Sequence, residues 1–346
     1  MSTVDVTRFE PQSPVDLIKT AFGQCFGHGG AAFIAAALMM LPATALNLAF
    51  SYLMGQTGAL STLMSMQGGQ VDPTQFDMGE FLGAMAVVGG GGVAVGIVSL
   101  LSSFAAAAAV GRMLAERALG RPFGPAQAWD WAMGKLWRLT GGAVVAGVTV
   151  AVGYVIASIP VAIVSIIVLA ATGGLKAGTQ PSPIVQGLSN LVMIPFLVAL
   201  AAYTASMPSI VAVEDLGGLP AVFRSFRLVA GRFRQAATAI GLGGLILLGL
   251  PAGLQMVMQF GLMERLTEAM GGGPGMLAAF GPGTVLGSIA WPILFCLQTL
   301  IYFDLRSRQT EEEFTPYVVA LELGGELPEG VRDPLDAESS EPSAIS

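Results

Sequence analysis

Charge is what this sequence has least of. Asp, Glu, Lys and Arg make up 11% of its 346 residues, against roughly 25% in soluble domains. A water-soluble chain of this length would carry a charge every turn or two of helix, so the scarcity excludes that class. Histidine is nearly absent as well. His28, the only one, sits between Gly27 and Gly29 ahead of the first apolar run. With no Cys/His/carboxylate set at metal-ligand spacing, a metal centre and a His-based catalytic site are not expected. The two cysteines, Cys25 and Cys296, lie in or beside apolar segments. They are too few for a disulfide framework and read as small buried hydrophobes. No Lys/Arg stripe interleaved with aromatics occurs outside short loops, which excludes nucleic acid as a partner. The glycine runs lack the Lys-Ser/Thr of a phosphate cradle, and no G-x-S-x-G elbow is present.

What is there instead is a set of six long stretches without one charged residue: 20–71, 81–111, 139–175, 177–213, 235–263 and 269–303. Each has room for the roughly 20 apolar residues that cross a hydrocarbon core. The expected fold is an all-α integral membrane protein of six transmembrane helices, with spans at about 31–53, 81–110, 141–170, 185–212, 236–260 and 280–303. Residues 1–12 are expected to be a flexible N-terminus, 13–310 the membrane domain and 311–346 an acidic, largely disordered tail. From Gln309 onward there are ten acidic residues against Arg332 alone, so the formal charge of −7 belongs to the tail and the body is slightly basic. Beyond about Glu322 the tail is too polar to bury a core. No cleavable signal peptide is expected, because Asp5, Arg8 and Glu10 precede the first apolar run.

The basic residues set an orientation. Fourteen of the sixteen lie in the N-terminal segment, in 111–138, in 214–234 and in the C-terminal part; only Lys176 and Arg265 fall in the alternate loops. By the positive-inside rule both termini are cytoplasmic.

The basic segments share a plan. One begins at Ser13-Pro14, with Val15, Ile18, Phe22 and Phe26 at helical spacing; the second follows Pro125, with Trp129, Ala132, Leu136 and Trp137 in a stripe and Asp130 and Lys135 off it. The third follows Pro220, with Val222, Phe223, Phe226, Val229 and Phe233 on one side and Arg224, Arg227 and Arg234 expected opposite. Ser before Pro is a helix start. Each such helix runs into a span containing Pro42, Pro160 or Pro251. The reading is three repeats of an amphipathic interfacial helix plus a helical hairpin. Small-residue faces for close packing are expected at Gly92 and Gly96, at Gly141, Gly142 and Gly147, and at Gly241, Gly243 and Gly244.

None of the spans carries an ionisable residue at mid-depth, which disfavours ion-coupled transport. The neutral polar residues Asn47, Asn190, Gln255, Gln259 and Gln298 are expected to hydrogen-bond between helices.

Two stretches carry a resemblance. One is Met207-Pro208-Ser209-Ile210-Val211-Ala212-Val213-Glu214-Asp215, continued by Ala221-Val222-Phe223-Arg224-Ser225-Phe226-Arg227 and Gly231-Arg232-Phe233. The other is Ile301-Tyr302-Phe303-Asp304-Leu305-Arg306-Ser307-Arg308. The chain resembles the six-span membrane domain found N-terminal to some bacterial glycerophosphodiester phosphodiesterases and in many stand-alone proteins. The resemblance implies the fold over about 13–310. It does not imply hydrolase activity, because the length and the paired histidines of the catalytic barrel are missing.

The functional expectation is a non-enzymatic membrane protein without cofactors, whose basic cytoplasmic face contacts anionic lipid or a protein partner through Arg224, Arg227, Arg234, Trp129 and Trp137. The alternative is a permease or pore for a small or amphiphilic solute. One structural pair is expected: Asp304, at the cytoplasmic end of the last span, with Arg227 or Arg224 of the third interfacial helix.

Overall fold

The computed structural model describes residues 11–57, 78–171, 183–257, 263–308, 318–319 and 322–323. Among them the protein is almost entirely helical and has no strand. Helix α1 spans Pro14–Gln56, α2 Met78–Met85 and α3 Gly92–Ala118, with a π-helical segment Ala86–Gly91 joining the last two. Then follow α4 Pro125–Gly134, α5 Leu136–Ala171, α6 Pro183–Ala205 and α7 Met207–Val213. The chain continues through α8 Leu219–Ala230, α9 Phe233–Val257, α10 Met263–Met270 and α11 Gly272–Ser307. Among the described residues five helical segments are long and apolar enough to cross a membrane, and Phe233–Gly249 is a shorter apolar helix. The whole of α9 is 25 residues, about 37 Å at the rise of an α-helix. This is an all-α, multi-pass membrane architecture.

The outer surface fits lipid as its solvent. Along α5, Val148, Val152, Ile156, Ile159, Ile163 and Ile167 all face outward and more than half exposed. Water would not tolerate so continuous an apolar strip. Inside, the contacts are made by small residues. Ala105 to Ala109 of α3 are buried in succession, with Ala32, Ala35 and Ala36 of α1 against the same core. Backbones approach closely there and gain dispersion contacts. A Cβ on Gly142 would stand 2.8 Å from Phe104, and one on Gly147 2.6 Å from Leu100. Gly243 lies against Leu297 and Gly241 against Val198. Gly92, Gly96, Gly141 and Gly244 are a correction: a Cβ on any of them would meet open space, and the close contact near the first two is Gly91 against Phe50.

Three helical units repeat. Ser13 caps α1, its side chain accepting from the Asp16 N–H at 3.2 Å, with Pro14 in the first turn. In α4, Gln127 Oε1 accepts from the Gly124 N–H at 2.7 Å, and α8 starts after Gly218 in the left-handed region. Each interfacial helix then leaves α geometry before its span. In α1 the break is at Gly29 and Gly30, both at positive φ; after α4 it is at Lys135; after α8 it is at Gly231 and Arg232. The six long helices α1, α3, α5, α6, α9 and α11 close into a ring. Helix α1 touches α3, α3 touches α5, and α5 touches α6; α6 touches α9, α9 touches α11, and α11 returns to α1. Helix α11 also packs on α3.

The folded body extends past residue 310, which corrects the expected boundary of the tail. Val319 and Leu323 are buried in the core, and Arg112 Nη2 donates to the Leu323 carbonyl at 2.9 Å. Apolar Val319 and Leu323 supply the burial that the acidic residues around them cannot. The rest of 309–346 and all of 1–10 lie outside the described residues.

Candidate functional site

All three returning passes end, at the face carrying the interfacial helices, in a buried carboxylate. Glu116 is 5% exposed, and Arg112 and Arg121 hold it at 2.7 and 3.0 Å. Glu214 accepts from Arg224 Nε at 2.9 Å and from the Tyr302 hydroxyl at 3.0 Å. Asp304 is 2% exposed. It accepts from Arg308 at 3.0–3.1 Å, from Gln235 Nε2 at 2.7 Å and from the Gln12 N–H at 2.7 Å. A carboxylate taken out of water needs this much compensation.

The expected pair between Asp304 and Arg224 or Arg227 is therefore overturned. Arg308, one helical turn on, folds back with two N–H groups and satisfies Asp304 from its own helix. Arg224 is turned inward to Glu214, only ten residues away. The sequence reading passed over Glu214 and Glu116 as buried anchors. The available signal was position: Glu214 directly follows the charge-free 177–213, and Glu116 stands one turn after Arg112.

Each carboxylate grips the start of the next unit. Glu116 holds Arg121, in the connection before α4. Glu214 holds Arg224 of α8. Asp304, at the end of the third unit, binds Gln12 at the start of the first, whose carbonyl also accepts from Arg308 at 2.8 Å and Gln235 at 2.9 Å. The ring of helices is thus closed by a ring of polar latches.

At the centre of this face Arg306 is 2% exposed. Its Nη1 donates to Glu322 at 2.6 Å and to the Tyr302 hydroxyl at 3.0 Å, and stands 3.4 Å from Glu214. Burial pushes the Glu322 carboxyl above its ordinary value, and Arg306 offsets this only in part. At the rim, Lys135 reaches Asp215 at 3.2 Å and Arg138 pairs with the same carboxylate. Burial alone would raise Asp215, but hydrogen bonds and charge from Arg138 and Lys135 together hold it below its ordinary value.

The aromatic stripes face outward. Phe223 is 66% exposed and Trp137 89%, and Trp129, Phe226 and Phe233 are each more than a third exposed. The small residues beside them, such as Ala128 and Ala132 in α4 and Ala221, Ser225 and Leu228 in α8, pack onto the body. The expected separation of Phe and Arg on α8 is a second correction. Arg227 shares the exposed side with Phe223 and Phe226, and Arg224 points inward. Small side chains permit close approach to the bundle, which leaves bulky rings and free cations to the interface.

Of the expected lipid-contacting residues, Arg227, Arg234, Trp129 and Trp137 are exposed on this face. Among the described residues, Arg227 and Arg234 have no carboxylate partner. Arg232 and Arg234 line an open groove of about 560 Å³ with Pro14, Phe233, Gln235 and Thr238. A second groove, about 480 Å³ and mainly apolar, runs between α5 and α6 past Val152, Ile156, Phe196 and Leu200 to Tyr203 and Phe226. Tyr203 links the two, stacking on Phe226 at 4.7 Å and on Phe233 at 5.5 Å.

Cys25 and Cys296 are buried and free, as expected for small hydrophobes. Asn47 donates across to Ser99 at 3.1 Å, the interhelical bond expected of it. Gln259 and the side chains of His28, Asn190 and Gln255 lie outside the described residues. Among the described residues no group of three or more His, Cys, Asp or Glu could hold a metal. No family model, curated protein or solved structure matches the chain.

Proposed function

We propose that this is a non-enzymatic protein of a bacterial inner membrane whose basic, cytoplasmic face binds anionic phospholipid. One observation carries the reading. On the face where every buried carboxylate already has its arginine, Arg227 and Arg234 stay exposed beside outward phenyl rings. Cations and aromatic rings on one interfacial surface match the headgroup layer. The Arg232/Arg234 groove would take the phosphate, and the apolar groove beyond Tyr203 an acyl chain. We further propose kinship with the membrane-domain family named above. The residues that carry that resemblance, Glu214, Arg224, Tyr302, Asp304, Arg306 and Arg308, are those that latch the basic face together. On this reading the shared motif serves the fold.

Each exposed arginine near an anionic surface contributes about 1 kcal/mol, so three amount to about a hundredfold in affinity. The test is native mass spectrometry of the protein extracted from mixed anionic and zwitterionic membranes. Replacing Arg227, Arg232 and Arg234 by Gln should strip most of the retained anionic lipid. Retention equal to that of the unmodified protein would refute the reading.

A further inference from the structure

A cavity of about 460 Å³ lies inside the bundle among α1, α3 and α11, with Leu248 of α9 at its edge. Along α11 from Asp304, Trp291 lies about 20 Å and Gly283 about 31 Å away. Along α1, Thr44 and Asn47 lie about 21 and 26 Å beyond Gly30. The cavity is therefore in the half of the bundle remote from the basic face, and it is separate from the lipid grooves. Its lining is unusual for that depth. Thr44, Asn47, Ser99, Ser103, Thr284 and Ser288 all converge on it, and none of its lining residues is charged.

These groups are partly satisfied by the protein, and what they leave over defines a ligand. Thr284, Ser288 and Ser103 donate to carbonyls of their own helices at 3.1, 2.9 and 3.0 Å. Thr44 and Ser288 share a hydrogen bond at 3.1 Å. Asn47 spends its Nδ2 on the Ala43 carbonyl and Ser99. Left over among the described residues are the Asn47 carbonyl oxygen, lone pairs of the hydroxyls, the Ser99 hydroxyl proton and the N–H of Trp291, all on residues that line the cavity. The site thus offers several acceptors and two donors, the Ser99 hydroxyl and the Trp291 N–H, with no charge to balance an ion.

Helices in a membrane associate through close contact, and a void forfeits it. Here Ala43, Gly283 and Gly287 keep the space open, and a Cβ on Gly287 would meet nothing within 4 Å. The volume falls in the range of small-molecule sites. A charged ligand would be left without a counter-charge at this depth.

We infer that this cavity binds an uncharged, hydroxyl-bearing ligand, whose hydroxyls donate to Asn47 and the serine and threonine oxygens while one oxygen accepts from Trp291. That chemistry belongs equally to a free polyol and to the hydroxyl head of a neutral diacyl lipid.

The experiment uses the full chain in phosphatidylcholine nanodiscs with a photoactivatable diacylglycerol, its phosphatidic acid counterpart, and xylitol as the free polyol. A Cβ at Gly287 meets nothing within 4 Å, so Gly287→Leu should place its side chain in the cavity with thermal stability held, while labelling of the 40–47 and 283–291 segments falls at least tenfold. Asn47→Leu should also weaken labelling. Diacylglycerol labelling that depends on Gly287 and resists xylitol identifies a lipid ligand. Xylitol that stabilises the unmodified protein but not the Gly287→Leu variant, and blocks the label, identifies a free polyol. If neither probe responds to Gly287→Leu, the cavity holds water only; if phosphatidic acid labels as well as diacylglycerol, the site does not select an uncharged head; either result overturns the inference.

Discussion

Replacing Arg306 by methionine removes a buried cation that bridges two partly buried carboxylates. The guanidinium is 2% exposed and bonds Glu322 at 2.6 Å with Glu214 at 3.4 Å. Breaking a buried pair costs about 3–5 kcal/mol, because the charge left behind has lost both water and its partner. The lower end applies here. Glu214 keeps Arg224 and the Tyr302 hydroxyl, and the Glu322 side chain, 24% exposed, has an escape route to water. A loss of about 3 kcal/mol lowers Tm by about 10 °C on the scaling for large domains. The decisive variant is the double replacement Arg306→Met with Glu322→Leu. It removes one charge of each sign and leaves Glu214 with Arg224, so stability should recover by at least about 1 kcal/mol relative to Arg306→Met alone. The assay is thermal unfolding in detergent for both single variants and the double. Strict additivity of the two single losses would refute the coupling.

Other expectations follow from the same face and from the core. Asp304→Asn should free the N-terminal segment at Gln12 and speed proteolysis there, while Arg224→Gln leaves that cleavage rate unchanged. Asp215→Asn keeps a residue that tolerates the positive φ of this position but loses the pairs with Lys135 and Arg138. Because the folded carboxyl sits below its ordinary 3.8, its contribution is full above that value and is lost as pH falls through the lower folded value. The Tm gap between Asp215→Asn and the unmodified protein should therefore close on acidification below about pH 4. Gly142→Ala should cost about 1–3 kcal/mol by overpacking against Phe104, whereas Gly96→Ala, facing open space, should be neutral or slightly stabilising. Equal effects at Gly142 and Gly96 would count against close packing at Gly142.

The membrane class and the helical plan were legible because they rest on long-range composition. Six charge-free stretches and three Pro-initiated helices survive any detail of packing. The interfacial face was legible in part: Arg227, Arg234, Trp129 and Trp137 were read as exposed, yet Arg224 was placed with them. Periodicity reports which residues share a stripe, but not which of two adjacent stripes meets the bundle. In α8 the choice fell to Ala221, Ser225 and Leu228, whose small or slim side chains let the helix lie close. The fate of Asp304 was misjudged for a related reason. An i+4 arginine looks like a surface pair in one dimension, and only the arrival of Gln12 and Gln235 from distant segments makes the site buried. The docking of Val319 and Leu323 was hidden because the acidic tail's average composition masks two apolar side chains.

The latch of Gln12 onto Asp304 bears on how the protein is made. Helix α1 leaves the ribosome long before its principal neighbour, α11. Until then Ala32, Ala35 and Ala36 of α1 have lipid where their partner will be, and Thr44 lacks Ser288. The contact with the longest sequence separation thus closes the bundle, and such contacts form slowly. Nascent chains arrested before α11 should remain open and accessible to membrane proteases, while the arrival of α11 seals α1 into place.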